Sequence, residues 1–217
     1  MGAHGGPRVL LNNTRNDLVF YFDHKKSWRK GKDLINDNTV TKTGGVDTGI
    51  VAGKKCISFD GTNDRLDFDP VTLQDEWTIM YWFYHAGTGS DMSLGEYNTG
   101  PNRFYHRDSG ADYRIRVHND AYENIEDFVI GDQREKWTHI AYGKNSSRVY
   151  GWLNGVLTMD LANTDQVPFV LDNIGLPYTA TSYHWNGGID FVHAYNRVLT
   201  DREVLRLYRK HRRYFKV

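Results

Sequence analysis

Carboxylates are the first residues in this sequence whose spacing bears on chemistry. Retaining cleavage of a glycosidic bond needs two carboxylates about 5 Å apart, and alternate residues of one strand share a face. The nearest pattern is Asp67-Phe68-Asp69, which holds two acids and ends at Pro70, while Glu123 and Glu126-Asp127 lack the spacing. No Gly-x-Ser-x-Gly elbow for a nucleophilic serine occurs. The sequence therefore predicts a protein that is not an enzyme, with glycoside hydrolysis left as an alternative.

Ring side chains form a second pattern. Trp82, His139, Tyr150 and Trp152 stand at strand positions that can share one sheet face. Aromatic rings stack on the faces of sugars, so we predict these four residues as the contacts for a glycan. The alternative is that they fill a covered face of the sheet, as large rings do in cores.

Asp190 is an acid that stands within an apolar strand pattern, between Ile189 and Phe191. Alternation places its carboxylate on the same face as Val192 and Ala194. A buried carboxylate must be hydrogen-bonded, ion-paired or bound to a metal. Capping of a turn, pairing with an arginine and metal binding all remain open on the residues alone.

Composition bounds the class of protein. The 217 residues carry 27 Lys plus Arg against 27 Asp plus Glu, so the formal net charge is zero, whereas nucleic-acid-binding domains are usually basic. No apolar run reaches the roughly 18 residues of a transmembrane helix. The single cysteine, Cys56, excludes an internal disulfide and a multi-cysteine zinc site. The first residues are neither basic nor apolar, so no secretory signal is expected.

The elements that must position these residues are mostly strands. Apolar and aromatic runs separated by glycine turns predict a sandwich or barrel. Asn154-Gly155 predicts a type I′ hairpin turn, and residues 24–54 look like a long loop with at most short strands. Thr200 and Glu203 form a capping box that predicts one C-terminal helix. The predicted strands include Leu18–Phe22, Trp77–Tyr84, Trp137–Tyr142, Arg148–Leu153, Val156–Met159 and Ile189–Tyr195.

Three ordered stretches resemble the laminin-G-like, concanavalin A-like family. Ile57–Asp64 is similar to its F-D-G-x-x-D signature, and Trp137–Ala141 followed by Leu153-Asn154-Gly155 is similar to its W-x-H-V-A and N-G hairpin. Gly188–Val192 with Tyr195–Thr200 resembles its closing I-D-E-V and Y-N-R-A-L-S segments. The resemblance implies an all-β fold, a two-sheet antiparallel jelly-roll sandwich with a short C-terminal helix.

A narrower resemblance is to virion-associated jelly rolls of tailed phages. The start of those proteins is similar to three segments of this chain: Gly5-Gly6-Pro7, the strand of Asp17–Asp23 and Ser27-Trp28. The loop that follows departs from theirs at Ile35–Asn38. The resemblance implies a non-catalytic structural or accessory protein of a phage, a capsid decoration or tail-fibre protein for attachment or shell stabilisation. A carbohydrate-binding, lectin-like module is the alternative. The implied location is the virion surface, after synthesis in the host cytoplasm.

The same resemblance implies a cofactor and partners. In similar jelly rolls the aspartate at the position of Asp190 binds a structural Ca²⁺, and Asp23 is the early acid that would share it. The implied partners are other virion proteins, copies of the same chain and a host-surface glycan, with no nucleic acid and no membrane.

Two terminal segments flank the predicted domain. Residues 1–16 form an arm, residues 17–208 the jelly roll and residues 209–217 a basic tail, and residues 201–217 hold seven Lys or Arg against two acids. Such segments can order on a neighbouring subunit. We expect both to act as tethers, with an acidic partner surface for the tail.

Overall fold

The computed structural model describes residues 17–97, 101–108, 112–118, 124–164, 168–175 and 183–217. Within these ranges the strands pair in two antiparallel sheets that pack face to face. The predicted fold, a two-sheet antiparallel jelly-roll sandwich with a C-terminal helix, is confirmed. The predicted arm at residues 1–16 lies outside the described residues.

One sheet has eight strands. Its order is β13-β12-β11-β6-β15-β4-β3, and β1 pairs with the second half of β15. Its strands are β1 (Leu18–Phe22), β3 (Asp47–Val51), β4 (Lys54–Asp60), β6 (Trp77–His85), β11 (Thr138–Lys144), β12 (Arg148–Leu153), β13 (Val156–Ala162) and β15 (Asn186–Tyr195).

The other sheet has seven strands in the order β10-β9-β8-β7-β14-β5-β2. Its strands are β2 (Val40–Thr43), β5 (Arg65–Leu73), β7 (Asp91–Gly95), β8 (Arg103–Asp108), β9 (Tyr113–His118), β10 (Asn124–Val129) and β14 (Phe169–Ile174).

Strand β6 shows why its apolar run is continuous. Alternation sends Trp77, Ile79 and Tyr81 into the core between the sheets. Met80 and Trp82, on the opposite face, are also fully buried, in two smaller clusters. Both faces of the eight-stranded sheet are therefore covered at β6.

The cover on the outer face is the C-terminal helix, α2 (Asp201–Phe215). The predicted capping box is present, since the Thr200 side chain accepts from the Glu203 N–H and the Glu203 carboxylate accepts from the Thr200 N–H. The helix buries Val204, Leu207, His211 and Phe215. The predicted basic tail at 209–217 is corrected here: its residues are mainly the last two turns of this helix, because His211 and Phe215 continue the apolar stripe.

The predicted loop at 24–54 contains the short strands β2 and β3 and a short helix, α1 (Lys26–Lys30), that the sequence did not predict. The Asp23 carboxylate accepts the Lys26 N–H at 2.7 Å and the Ser27 N–H at 3.2 Å where this helix begins. Gly31 ends it with φ of 63°. The Asn154-Gly155 hairpin turn forms as predicted, with φ of 50° and 81°.

Candidate functional site

The four residues predicted to contact a glycan lie on the face that helix α2 covers. Trp82 and His139 are 0% exposed and Trp152 is 1% exposed. The indole of Trp82 stacks on Phe215 at 4.3 Å and on Tyr208 at 5.5 Å between ring centroids. A sugar cannot reach Trp82 while the helix is docked.

Trp152 and Tyr150 belong to the same covered face. The Trp152 Nε1–H donates to Asp201 Oδ1 at 2.8 Å, at the start of the helix, and the Tyr150 ring stacks on the indole at 5.8 Å. Tyr150 itself is half-buried. The expectation of an open platform is corrected for Trp82, His139 and Trp152, because the amphipathic helix needs an apolar surface and takes this one. Any glycan contact by the four residues remains a prediction that requires the helix to leave.

The two acids predicted to bind calcium are occupied by hydrogen-bond donors. Asp190 is 0% exposed. Its Oδ1 accepts two backbone N–H groups, that of His24 at 3.0 Å and that of the next residue, Phe191, at 2.9 Å. Its Oδ2 bonds to Nδ1 of His24. The Asp23 carboxylate accepts from the start of helix α1 and from the Tyr21 hydroxyl at 2.9 Å.

This donor set does not fit a calcium ion. N–H and O–H groups that point their hydrogens at a carboxylate place positive charge where a cation would sit, and Ca²⁺ requires six to eight oxygen ligands. Among the described residues no group of three His, Cys, Asp or Glu side chains is arranged to hold a metal. The two aspartates instead fix the chain segment that joins β1 to helix α1.

A chain of hydrogen bonds continues from Asp190 through His24 to helix α2. Burial raises the pKa of Asp190, although its hydrogen bonds with His24 oppose this effect. The other imidazole nitrogen of His24 lies 2.9 Å from the Tyr214 hydroxyl, which donates to the Lys55 carbonyl at 2.8 Å. Since Tyr214 has a single hydroxyl hydrogen, Nε2 of His24 must carry the proton between them.

In the described part of the chain no helix covers the outer face of the seven-stranded sheet, which carries alternating polar side chains. In β8 and β9 the inward residues are buried, while Tyr105, Arg107, Arg114 and Arg116 point outwards. Arg116 binds Asp127 through two bonds of 2.7 and 2.9 Å, and Arg114 adds a third bond at 3.1 Å. These pairs hold the outward row in a fixed geometry.

Two tyrosines form the aromatic part of this open face. The rings of Tyr105 and Tyr183 meet edge to face, with centroids 5.3 Å apart and planes at 90°. Tyr183 is 38% exposed and has φ of 75°, a conformation that bulky residues rarely adopt. The N–H of Met92 donates to the Tyr183 carbonyl at 2.9 Å and holds this backbone in place. Backbone strain of this kind concentrates at functional sites.

An exposed cation lies beside the tyrosine pair. Burial, the largest effect, raises the pKa of Tyr105, and the nearby Arg107 guanidinium opposes this rise. Within the described residues Arg107 makes no ion pair, unlike Arg114 and Arg116 on the next strand. The guanidinium is thus open to hydroxyl or carboxylate groups of a ligand.

A polar network inside the sandwich supports the edge of this face. Nε2–H of His85 donates to Asp91 Oδ2 at 2.8 Å, which leaves Nδ1 to accept the Tyr113 hydroxyl at 2.9 Å. The Tyr113 oxygen in turn accepts Nδ1–H of His106 at 3.0 Å, and Nε2 of His106 accepts the Tyr81 hydroxyl at 2.7 Å. Burial lowers the pKa of His106 well below its ordinary value, in agreement with a neutral ring.

Asp91 joins this network to the tyrosine pair. Its neighbour Met92 lies opposite Tyr105 in the β7–β8 ladder and bonds to Tyr183 through the backbone. The Asp91 carboxylate, 13% exposed, is therefore held at the rim next to the pair.

A third feature lies further across the same face. The Arg65 guanidinium stacks on the Tyr97 ring at 4.4 Å, and Oδ1 of Asp172 accepts the Tyr97 N–H at 2.7 Å. Burial, followed by the charges of Glu96 and Asp67, raises the pKa of Asp172 to about 6. In the part of the chain that the structure describes, Oδ2 of Asp172 has no partner, so it can accept a ligand hydroxyl.

The family is shown by sequence. Residues 60–205 match the profile of the Laminin_G_3 family, described as the concanavalin A-like lectin/glucanases superfamily. The chain therefore belongs to this family. The sequence matches none of the curated proteins with which it was compared.

Solved structures show the same fold at low identity. The receptor-binding domain of botulinum neurotoxin C/D mosaic serotype has a TM-score of 0.68 and 10% identity, over 90% of this chain and 52% of that chain. The binding domain of Paraclostridial Mosquitocidal Protein 1 has a TM-score of 0.65 and 14% identity, over 91% of this chain and 53% of that chain. The ligand binding domain of botulinum neurotoxin serotype D, in complex with N-acetylneuraminic acid, has a TM-score of 0.67 and 11% identity, over 90% of this chain and 51% of that chain. The chain thus spans about half the length of these structures.

Proposed function

We propose that this protein is a non-catalytic, lectin-like module that binds a glycan on the open face of the seven-stranded sheet. The observation that carries the proposal is the Tyr105–Tyr183 pair, with an exposed, strained Tyr183 and the exposed Arg107, which forms no ion pair with any described residue. Exposed rings stack on sugar faces, and guanidinium and carboxylate groups such as Arg107 and Asp91 bond to sugar hydroxyls. Membership of a superfamily of lectins and glucanases supports a saccharide ligand.

The charge of the site favours a sugar that carries an acid group. Arg107 is the unpaired charge next to the tyrosines, whereas the carboxylate of Asp127 is already bound by Arg114 and Arg116. One similar structure, the neurotoxin serotype D domain, was solved with N-acetylneuraminic acid. For this chain an acidic sugar is part of the proposal.

A binding function is favoured over cleavage by the state of the carboxylates on the open face. Asp172, with its raised pKa, would suit a general acid. Its acidic neighbours are engaged in structural bonds: Asp67 accepts from Arg65 and Asn173, and Glu96 accepts from Asn102 at 2.9 Å. Neither of the two acids whose charges act on Asp172 is therefore free for the partner role in hydrolysis.

The proposal is tested on a glycan array. Wild-type protein is expected to bind, Tyr183→Ala to lose binding, and Ile50→Ala to bind like wild type. Ile50 is 78% exposed on β3 of the opposite sheet and is a matched exposed apolar residue away from the site. Absence of binding by the wild type across neutral and acidic glycans would contradict the proposal.

Where the module acts is a further proposal: a decoration or fibre-associated position on a phage particle. It is supported by the resemblance of Gly5-Gly6-Pro7 and Asp17–Asp23 to virion jelly rolls. In that setting the open face would meet a host-surface glycan, and residues 1–16 would tether the module. Mass spectrometry of purified particles tests this location, and a protein absent from the particles would leave a free lectin.

A further inference from the structure

Helix α2 is attached in different ways along its two halves. Its first half is held by the capping box, by the Arg197–Glu203 ion pair at 2.7 Å and by the bond from Trp152 to Asp201. Val204 and Leu207 add an apolar contact with Met80 and its neighbours. Polar bonds with defined geometry therefore fix the beginning of the helix on the sheet.

The second half is held by ring contacts. Phe215 stacks between Trp82 at 4.3 Å and Trp137 at 4.5 Å. His211 stacks on Phe191 at 4.3 Å with an interplanar angle of 10°. Tyr214 supplies the polar contacts that the structure describes from this half: its hydroxyl bonds to His24 and to the Lys55 carbonyl, and the Lys25 ammonium lies 4.3 Å from its ring centroid.

Three buried imidazoles lie at this contact. His211 stacks on His193 at 5.3 Å, and His139 contacts Tyr208 of the helix at 5.5 Å. Both nitrogens of His139 and Nδ1 of His211 have no hydrogen-bond partner among the residues that the structure describes, and Nδ1–H of His193 donates to the Phe191 carbonyl at 2.8 Å. A proton added to His139 or to Nδ1 of His211 would be a buried charge without a counterion.

The charged surroundings oppose protonation. Lys25 and Lys210 repel a charge on His211, as do His193 and His139. The acids in the region, Asp23 and Asp190, already accept the hydrogen bonds described above. The titratable groups that face the three imidazoles across these elements are Tyr21, Asp23, His24, Lys25, Asp190, Tyr195, Tyr208, Lys210 and Tyr214.

These surroundings set the direction of the pH effect. Burial, the largest cause, lowers the pKa of His139 to about 3, of His193 to about 4 and of His211 to about 2, from an ordinary 6.5. An undocked helix end returns these rings to water, where they take up protons below pH 6.5. Acid therefore favours the undocked state over the docked one.

We propose that the C-terminal half of helix α2, residues 208–217, is an acid-sensitive cover that undocks while the sandwich stays folded. Undocking exposes the aromatic surface of Trp82, Trp137 and Phe191 beneath it. His139 and His211 act as the sensor because each holds a buried ring nitrogen without a partner among the described residues. The polar ties of the first half keep the helix attached.

Cys56 reports this opening directly. It is the chain's one cysteine, 0% exposed, and lies in the same cluster as Trp82 and Phe215. The full chain is treated with 4,4′-dithiodipyridine, which reacts with thiols in acid, at pH 7.5 and pH 5.0, and rates are divided by those of free cysteine. If one histidine regains its ordinary pKa when the helix end opens, the relative rate should be about thirty-fold higher at pH 5.0 than at pH 7.5.

Variants separate a local opening from unfolding. His211→Phe keeps the ring contact and removes the proton acceptor, so the acid acceleration should fall several-fold. His118→Phe, on the other sheet, should retain it. Hydrogen exchange of wild-type protein at pH 5.0 should show loss of protection in 208–217 but not in β6, which gives a test independent of any variant. Equal relative rates at the two pH values, an unchanged acceleration in His211→Phe, or simultaneous loss of protection in β6 would overturn the proposal.

Discussion

The rings of Trp82 and Phe215 stack with centroids 4.3 Å apart and an interplanar angle of 21°. This contact joins the centre of the eight-stranded sheet to the end of helix α2. It makes the helix a third layer of the domain. The face that would otherwise resemble a sugar platform is a second core.

Trp82→Ala should therefore be strongly destabilising. The change removes the contacts with Phe215 and Tyr208 and leaves a cavity, for which a loss of about 3–5 kcal/mol in the free energy of unfolding is expected. Urea denaturation followed by circular dichroism measures it. Ile50→Ala, exposed on β3, should change stability by less than about 0.5 kcal/mol. A Trp82→Ala variant of wild-type stability would show that the helix does not pack on this face.

Stability should fall as the pH is lowered from about 6.5 towards 4. The pKa values of His139, His193 and His211 lie below 6.5 in the folded state, so the unfolded state binds more protons in this window. Each net proton costs about 1.4 kcal/mol per pH unit. The raised pKa of Asp172 acts in the opposite direction and reduces the slope. Urea melts at pH 7 and pH 5 test this, and equal midpoints would contradict it.

Asp190 should matter through its hydrogen bonds and not through calcium. Asp190→Ala leaves His24 and two backbone N–H groups unpaired in a buried position, a loss of about 3–5 kcal/mol. Asp190→Asn keeps one acceptor oxygen and should lose less. EDTA should leave the Tm of the wild type unchanged. A Tm that falls in EDTA and recovers with added calcium would restore the metal site.

Tyr113→Phe tests the internal network. The change removes the hydroxyl between His85 and His106 while keeping the ring, so two buried imidazole nitrogens lose their partner. A loss of about 1–3 kcal/mol is expected. Thermal or urea unfolding measures it, and Tyr214→Phe, with a hydroxyl nearer the surface, provides the comparison. If Tyr113→Phe leaves the free energy of unfolding unchanged, the hydroxyl is not needed to satisfy the network.

Local patterns predicted individual elements of a sandwich or barrel, and the family resemblance predicted the jelly-roll fold. The Asn154-Gly155 turn, the Thr200–Glu203 capping box and the apolar run of β6 each specify an element through nearby residues. Helix α1 was missed because its start is capped by Asp23 from before the helix and its five residues carry no apolar period.

The binding face could not be predicted in the same way, because burial depends on which element covers which sheet. Trp82 and His139 looked available until helix α2 was placed over them. The alternation of β8 and β9, with Tyr105, Arg107 and Arg116 at every second position, is typical of a half-exposed sheet, but the sequence alone led to no prediction for these residues. Tyr183 had no such signal, since its position follows from its backbone bond to Met92.

The central claim is that the Tyr105–Tyr183 pair binds a glycan, and calorimetric titration of a glycan found on the array tests it most directly. Tyr183→Ala should weaken the Kd about tenfold or more, which corresponds to about 1.4 kcal/mol, and Tyr183→Phe, which keeps the ring, should bind within a few-fold of wild type. Arg107→Ala should weaken binding of an acidic sugar more than that of a neutral one. If Tyr183→Ala, shown to be folded, binds with the wild-type Kd while folded Trp152→Ala does not, the site is the face under helix α2 and the account is wrong.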